Sequence, residues 1–345
     1  MEDVPKPDER RTVLVTGGSG YVGSWAIVEL LRRGYRVRTT VRSLAREQEV
    51  RTVIAGQVDA ADRLSVFAAN LLQDDGWAGA IEGSDYVLHV ASPMPIGEYR
   101  GQDVIRPARE GVRRVLQASI EAGVKRVVLT SSTAAAMLKQ NGRTKVDEAI
   151  WTDLPSKPIY NYPRAKTLAE QDAWEMISKA GGRMELTSVL PSFIQGPVFG
   201  TDYSASVDVV GLMLRGRMPA VPRIGFNIVD VRDLVDLHIR AMTSSEAAGE
   251  RFIGAGKFLW FSDIARLLRD GLGRRASKVS TRTLPDWIVR AGAFFNAEMA
   301  QLAPSLGSFA EASTAKAERV LGWRTRPADS TILDTANSLI ERGLA

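Results

Sequence analysis

Tyr162, Pro163, Arg164, Ala165 and Lys166 place a phenol and an ammonium four residues apart near the head of a helical pattern over Pro163–Ala180. That spacing puts both groups on one helical face. A free phenol ionises near pH 10, too high for efficient proton transfer at neutrality. A neighbouring lysine cation stabilises the phenolate and lowers that pKa, and a helix N-terminus acts the same way. Pro163 is tolerated in a first turn. A surface Tyr/Lys pair is common, so the pair gains meaning from Val128-Leu129-Thr130-Ser131-Ser132-Thr133 upstream. There a hydroxyl cluster closes an apolar strand, at the kind of strand end where a doubly wound sheet presents its ligands. The chemistry suggested is acid–base work at a carbonyl or alcohol oxygen.

These groups need a scaffold. Short apolar runs at Thr12–Thr16, Arg36–Val41, Leu64–Ala68, Tyr86–Val90, Arg126–Thr130 and Leu186–Leu190 read as strands. Amphipathic segments at Val22–Arg33, Val104–Ala122 and Pro163–Ala180 alternate with them. Nearly all-apolar strands alternating with helices predict a parallel sheet covered on both faces. Right-handed crossovers make it a doubly wound α/β (Rossmann) sheet, with ligands beyond the C-terminal strand ends. After Leu190 glycines and prolines interrupt the pattern, and helices follow at Val231–Met242, Ser262–Leu272 and Pro285–Phe295. The division expected is a dinucleotide-binding domain over 10–190, with 225–255 returning to it. A smaller C-terminal substrate-binding lobe would take 191–224 and 256–345.

The first strand runs into Thr16-Gly17-Gly18-Ser19-Gly20-Tyr21-Val22-Gly23 and then a helix. Such a turn lets backbone approach a pyrophosphate and aims the first helical amides at it. A glycine triplet alone is weak; opening a β-α-β unit, it predicts a dinucleotide site. About 20 residues on, a carboxylate would hold the ribose hydroxyls of NAD. Here Arg42 closes the second strand, and no acid lies between Arg36 and Arg46. A guanidinium can take a 2′-phosphate through two donors, so NADP(H) is the expected cofactor.

Composition bounds the rest. The 345 residues are 45% hydrophobic and 25% charged, enough apolar material for a large core. No cysteine is present, which excludes disulfides, thiolate catalysis and cysteine-ligated metal. The net charge of +5 comes without a dense basic run interleaved with aromatics, so nucleic acid is not an expected partner. The opening MEDVPKPDERR lacks an apolar run, and later apolar stretches are too short to span a bilayer. A soluble cytoplasmic protein with no membrane partner is expected, as monomer or homodimer. His89 and His238, the two histidines, read as structural, and no metal site is expected. A serine-hydrolase elbow, G-x-S-x-G, is missing.

Together these motifs resemble an extended short-chain dehydrogenase/reductase of the NAD-dependent epimerase/dehydratase superfamily, in its dihydroflavonol 4-reductase-like group of aldehyde and ketone reductases. The likeness runs through Val15–Gly23, Thr40-Val41-Arg42, His89-Val90-Ala91-Ser92-Pro93, Thr130-Ser131-Ser132 and YPRAKTLAEQDAW from Tyr162 to Trp174. It continues through Leu190-Pro191-Ser192, Gly196-Pro197, Val229–Leu234 and Lys316-Ala317 to Leu321-Gly322-Trp323. The resemblance implies that Tyr162 donates the proton in reduction, that Lys166 binds the nicotinamide ribose and tunes Tyr162, and that Ser132 holds the carbonyl oxygen. It implies cofactor contacts from Gly17, Gly20, Tyr21, Val22, Arg42, Asn70, Leu71, Val90, Ala91, Ser92, Thr130, Ser131, Lys166, Pro191 and Ile194. Asn70 stands where the family usually has Asp.

Plant flavonoid reductases follow the serine with A-G-T-V-N, whose Asn contacts the flavonoid; this chain has Thr133-Ala134-Ala135-Ala136-Met137. Methionine offers an adaptable apolar wall without a donor. The expected substrate is therefore a hydrophobic ketone or aldehyde (or the corresponding alcohol), with Met94, Met137 and Phe193 as candidate walls. Two other readings share these motifs: a sugar-nucleotide epimerase or dehydratase holding NAD, and a non-enzymatic NADP-binding regulator. Arg42 and the apolar run Ala134–Leu138 disfavour the first, and the intact Tyr162/Lys166 pair disfavours the second.

Overall fold

A computed structural model describes residues 11–93, 104–140, 143–154, 161–294, 299 and 303–345. The apolar runs form β1 (Thr12–Val15), β2 (Arg36–Val41), β3 (Leu64–Ala68), β4 (Tyr86–His89) and β5 (Arg126–Thr130). The hairpin strands β6 (Met137–Gln140) and β7 (Arg143–Val146) follow, then β8 (Glu185–Pro191) and β9 (Phe193–Gln195). The later strands are β10 (Val221–Pro222), β11 (Gly225–Asp230), β12 (Arg251–Gly254), β13 (Phe258–Trp260), β14 (Thr283–Leu284) and β15 (Phe309–Ala312). Helices α1 (Tyr21–Arg32), α2 (Glu47–Ala55), α3 (Trp77–Ile81), α4 (Ile105–Glu121) and α5 (Asn161–Lys179) connect the first strands. Beyond them lie α6 (Ala205–Leu214), α7 (Val231–Thr243), α8 (Phe261–Leu272), α9 (Asp286–Gly292), α10 (Ala315–Leu321) and α11 (Ala328–Glu341).

Seven parallel strands make the main sheet in the order β12-β8-β5-β4-β1-β2-β3. The order reverses between β1 and β4, the point at which a doubly wound sheet opens its ligand crevice. Alternation along β1 shows why both faces are covered. Val13 and Val15 pack into the core cluster with α1, α2 and α7, whereas Leu14 joins Val87, Val127 and Leu129 beneath α3, α4 and α5. At about 25 cal/mol per Å² of buried apolar area, these two layers supply the main drive for folding.

The seventh strand is β12, paired with β8 from Arg251 to Gly254. Whereas β12 extends the main sheet, β11 pairs with β9 and β13 in a separate three-stranded sheet. A further three-stranded sheet places β7 between β6 and β15, joining the middle of the chain to a strand near the C-terminus. Short polar hairpin strands such as Arg143–Val146 carry too little apolar alternation to announce this pairing from sequence.

Candidate active site

β5 is buried along its whole length and delivers its end beneath α5. Ser131 continues the ladder, its amide donating to the Val189 carbonyl at 2.8 Å. Ser132 then takes an extended conformation and caps a short 3-10 turn, its hydroxyl accepting from the Ala134 amide at 3.1 Å. The cap fixes the hydroxyl where Tyr162 can reach it, and the two side chains hydrogen-bond. Lys166, one turn further along α5, is buried and donates to the Thr130 carbonyl at 3.2 Å. Ser132, Tyr162 and Lys166 are therefore gathered at one strand end.

Their electrostatics differ from the simple expectation. Burial raises the Tyr162 phenol above its ordinary value, and the Ser132 hydrogen bond offsets part of that rise. The net result is a rise rather than the lowering expected from the Tyr162/Lys166 spacing; the Lys166 ammonium meanwhile donates to the Thr130 carbonyl. The Lys166 ammonium is itself pushed down to about 8 by burial, with Glu170 acting in the opposite direction.

The glycine loop packs as its composition demands. Gly17 has φ +74, a left-handed conformation that a side chain resists, and its amide donates to Thr40 Oγ1 at 3.1 Å. A Cβ on Gly23 would stand 2.3 Å from the Gly17 carbonyl oxygen, so only glycine lets α1 start against the loop. Gly20 is the N-cap, and no side chain caps the helix there. The first amides of α1 are thus presented to an anion by backbone alone. Tyr21 does not offer its side chain: the buried phenol donates to the Gly196 carbonyl at 2.8 Å, tying the loop to the segment after β9. Val22 lies partly exposed beside it.

Other candidates sort themselves by position. Arg42 is exposed at the end of β2. Asn70 closes a turn, its side-chain oxygen accepting from the Leu72 amide at 3.0 Å. Leu71 packs against Gly111 of α4. A pocket between the strand ends and α4/α5 brings together Leu71, Ala91, Ser92, Thr130, Ser131 and Lys166. Val90 and Ala91 donate their amides to Thr16 Oγ1, each at 3.0 Å, which leaves the Thr16 proton for His89 Nδ1 at 2.9 Å. His89 is buried and held neutral, its pKa pushed down to about 3 by burial and the Lys166 charge. His238 accepts from the Thr130 hydroxyl and donates to the Leu234 carbonyl, both at 2.8 Å. Both histidines are thus engaged in buried hydrogen bonds, His89 with Thr16 and His238 with Thr130 and Leu234.

Pro191 ends β8 opposite Gly254, and Ile194 sits in β9 opposite Val229. The Ser131 hydroxyl is turned to Glu170 at 2.6 Å. Of the proposed pocket walls, Met94 lies outside the described residues. Met137 begins β6 and packs partly exposed beside Ala136, Val146 and Leu190. Phe193 stacks on Phe226 with centroids 4.7 Å apart and tilts against Phe261 at 6.0 Å, so part of its ring serves packing within the lobe.

The chain matches the model of the NAD dependent epimerase/dehydratase family over residues 13–253. It belongs to that family. Among curated relatives it is 35% identical to cinnamoyl-CoA reductase 1 of Oryza sativa subsp. japonica over 267 residues, 76% of each chain. It is 32% identical to dihydroflavonol 4-reductase of Zea mays, covering 78% of this chain and 77% of that one. Among solved structures it resembles yeast methylglyoxal/isovaleraldehyde reductase Gre2 complexed with NADPH, with TM-score 0.78 and 24% identity over 97% of this chain and 100% of that one. The chain is thus an extended short-chain dehydrogenase/reductase of the dihydroflavonol 4-reductase-like group.

Two residues of the site escape motif reading. Glu170, a further turn along α5, is buried and paired with Arg251 of β12 at 2.8 Å. The signal was present as a third polar residue on the Tyr162/Lys166 face, but its partner lies across the fold. Arg46 donates to Ser19 Oγ in the glycine loop at 2.9 Å and to Asp202 at 2.9 Å, placing a second guanidinium beside the loop.

Proposed function

We propose that the protein catalyses reversible hydride transfer between NADP(H) and the carbonyl carbon of a hydrophobic ketone or aldehyde, with Tyr162 as proton donor. It is an NADP(H)-dependent oxidoreductase, and its curated relatives are reductases by name. The observation that carries the mechanism is the Ser132–Tyr162 hydrogen bond at the end of β5, with Lys166 one turn on.

The site fits the dinucleotide: a glycine loop that excludes side chains, an uncapped helix start, and Arg42 where NAD sites usually carry an acid. Gly17, Gly20 and the Tyr21 and Val22 amides would hold the pyrophosphate, with Asn70 and Leu71 beside the adenine. Arg42 would hold the 2′-phosphate, and Lys166 the nicotinamide ribose. The strand-end segments Val90–Ser92, Thr130–Ser131 and Pro191–Ile194 would wall the cofactor. When bound, the cofactor supplies the hydride.

The chain's own residues do the rest. Ser132 donates to the substrate oxygen, and Tyr162 delivers a proton to that oxygen as negative charge develops on it. Charge on Lys166 favours the phenolate left behind. The apolar Ala134–Ala136 run and Met137 leave a substrate wall with few donors, which supports an apolar carbonyl over a sugar nucleotide.

One experiment tests this reading. NADPH oxidation is followed by absorbance over aryl ketones, aldehydes and ketoesters, with Tyr162→Phe in parallel. Turnover by wild type and its loss in the variant are expected. Undiminished turnover in Tyr162→Phe would sink the mechanism, and NAD retained through purification would favour an epimerase.

A further inference from the structure

Glu170 is a buried carboxylate that the proposed reaction does not use. It accepts from Ser131 Oγ at 2.6 Å, from Arg251 Nε at 2.8 Å and Nη2 at 3.2 Å, and more distantly from Trp174 Nε1 at 3.4 Å. Arg251 is held in turn by the carbonyls of Glu148 and Ile150, at 2.7 and 2.8 Å, and lies over the Trp151 ring at 3.9 Å. A carboxylate with this many fixed donors has one available orientation. Its place in the sequence completes a stripe: Tyr162, Lys166 and Glu170 stand at four-residue steps on α5, and Lys166 and Glu170 line the same pocket.

We propose that Glu170 is a positioning residue, whose carboxylate, locked by Ser131 and Arg251, keeps the Lys166 ammonium charged and aligned beside Tyr162. The proposal rests on the reductase reading above and deepens it. A buried ammonium without a nearby anion tends to shed its proton. Among the described residues that face Lys166, Glu170 is the source of negative charge. From β4 comes His89, held neutral; from β5 come the Thr130 carbonyl and the Ser131 hydroxyl. On α5 itself stands the Tyr162 phenol, and α4 presents the apolar Ala108 and Val112 to the pocket. The charged α4 residues Arg109 and Arg113 pair instead with Asp172. Arg251 lies against Glu170 and compensates its charge, which makes the burial tolerable without removing the local field at Lys166.

The sign follows directly. Losing the negative charge of Glu170 makes the protonated Tyr162/Lys166 pair release its proton at lower pH. The alkaline limb of kcat for carbonyl reduction in Glu170→Gln should therefore move down by about one pH unit. Glu170→Asp, which withdraws the carboxylate by one methylene, should move it the same way by less. Circular dichroism and Tm identify which variants are folded. A merely structural Glu170 would lower Tm or kcat and leave the limb in place, so an unmoved limb in either folded variant overturns the proposal. Wild-type turnover with unmoved limbs rejects Glu170 alone; no wild-type turnover with NADPH rejects the reductase reading and this inference together.

Discussion

Ser132 both accepts the Ala134 amide, which anchors it, and hydrogen-bonds the Tyr162 hydroxyl, which it orients. The same hydroxyl thus belongs to the backbone turn and to the proposed proton donor. Ser132→Ala should lower kcat without unfolding the protein, because the 3-10 turn retains its backbone bonds from Ala135 to Ser132 and from Ala136 to Thr133. Tyr162→Phe should cost more, roughly 10²–10⁴-fold in kcat, the range expected for a lost general acid. Steady-state NADPH oxidation checks both. A serine variant as active as wild type would remove Ser132 from the chemistry.

Cofactor choice is expected to depend on Arg42. It stands exposed just past Val41, where NAD sites usually carry an acid. Arg42→Ala should raise the KM for NADPH roughly tenfold or more, since hydrogen bonds to charged groups contribute about 1.5–3 kcal/mol. The KM for NADH should change little. Similar losses with both nucleotides would show that Arg42 supports the loop rather than reads the phosphate, and Arg46 would then be the guanidinium to examine.

What could be read from the sequence followed from locality. The glycine loop, β1 to β5 and the Tyr162/Lys166 pair are short-range patterns, and the structure places them close to where their periodicities do. The strand over Arg126–Thr130 agrees end to end, whereas Leu186–Leu190 is extended by a residue on each side. β12 was not legible because Arg251–Gly254 is only four residues long and pairs with a strand far upstream. Glu170 was hidden for the same reason: its role depends on Arg251, 81 positions away. The direction of the Tyr162 pKa was not legible because spacing reveals the neighbouring cation but not the burial of the phenol, which raises it.

The helix start offers a test of packing rather than chemistry. Gly23→Ala would drive a methyl group to 2.3 Å from a backbone carbonyl oxygen, which cannot rotate away as a side chain could. Such overpacking costs about 1–3 kcal/mol. The variant should melt lower than wild type and bind NADPH more weakly, because relieving the clash moves α1 away from the Gly17 turn. Calorimetric titration with NADPH and a thermal scan check the two effects together. Unchanged affinity would mean that the first amides of α1 are not what holds the pyrophosphate.

Acid stability should report the two buried histidines. Burial lowers His89 to about 3 and His238 to about 4, against an ordinary value of 6.5. Above pH 6.5 both are neutral whether folded or unfolded, and neither makes stability depend on pH. As the pH falls below 6.5 the unfolded chain takes up protons that the folded one refuses, so stability is lost down towards pH 3–4. Between pH 6.5 and 5 each histidine should account for a loss on the order of 2 kcal/mol. His238→Gln, which retains polar atoms for Thr130 and Leu234, should remove about half of the histidine share of that slope even if its stability at pH 7 is lower. Urea unfolding at the two pH values measures the difference. An unaltered slope in His238→Gln would mean that His238 protonates as readily in the folded protein as in the unfolded chain.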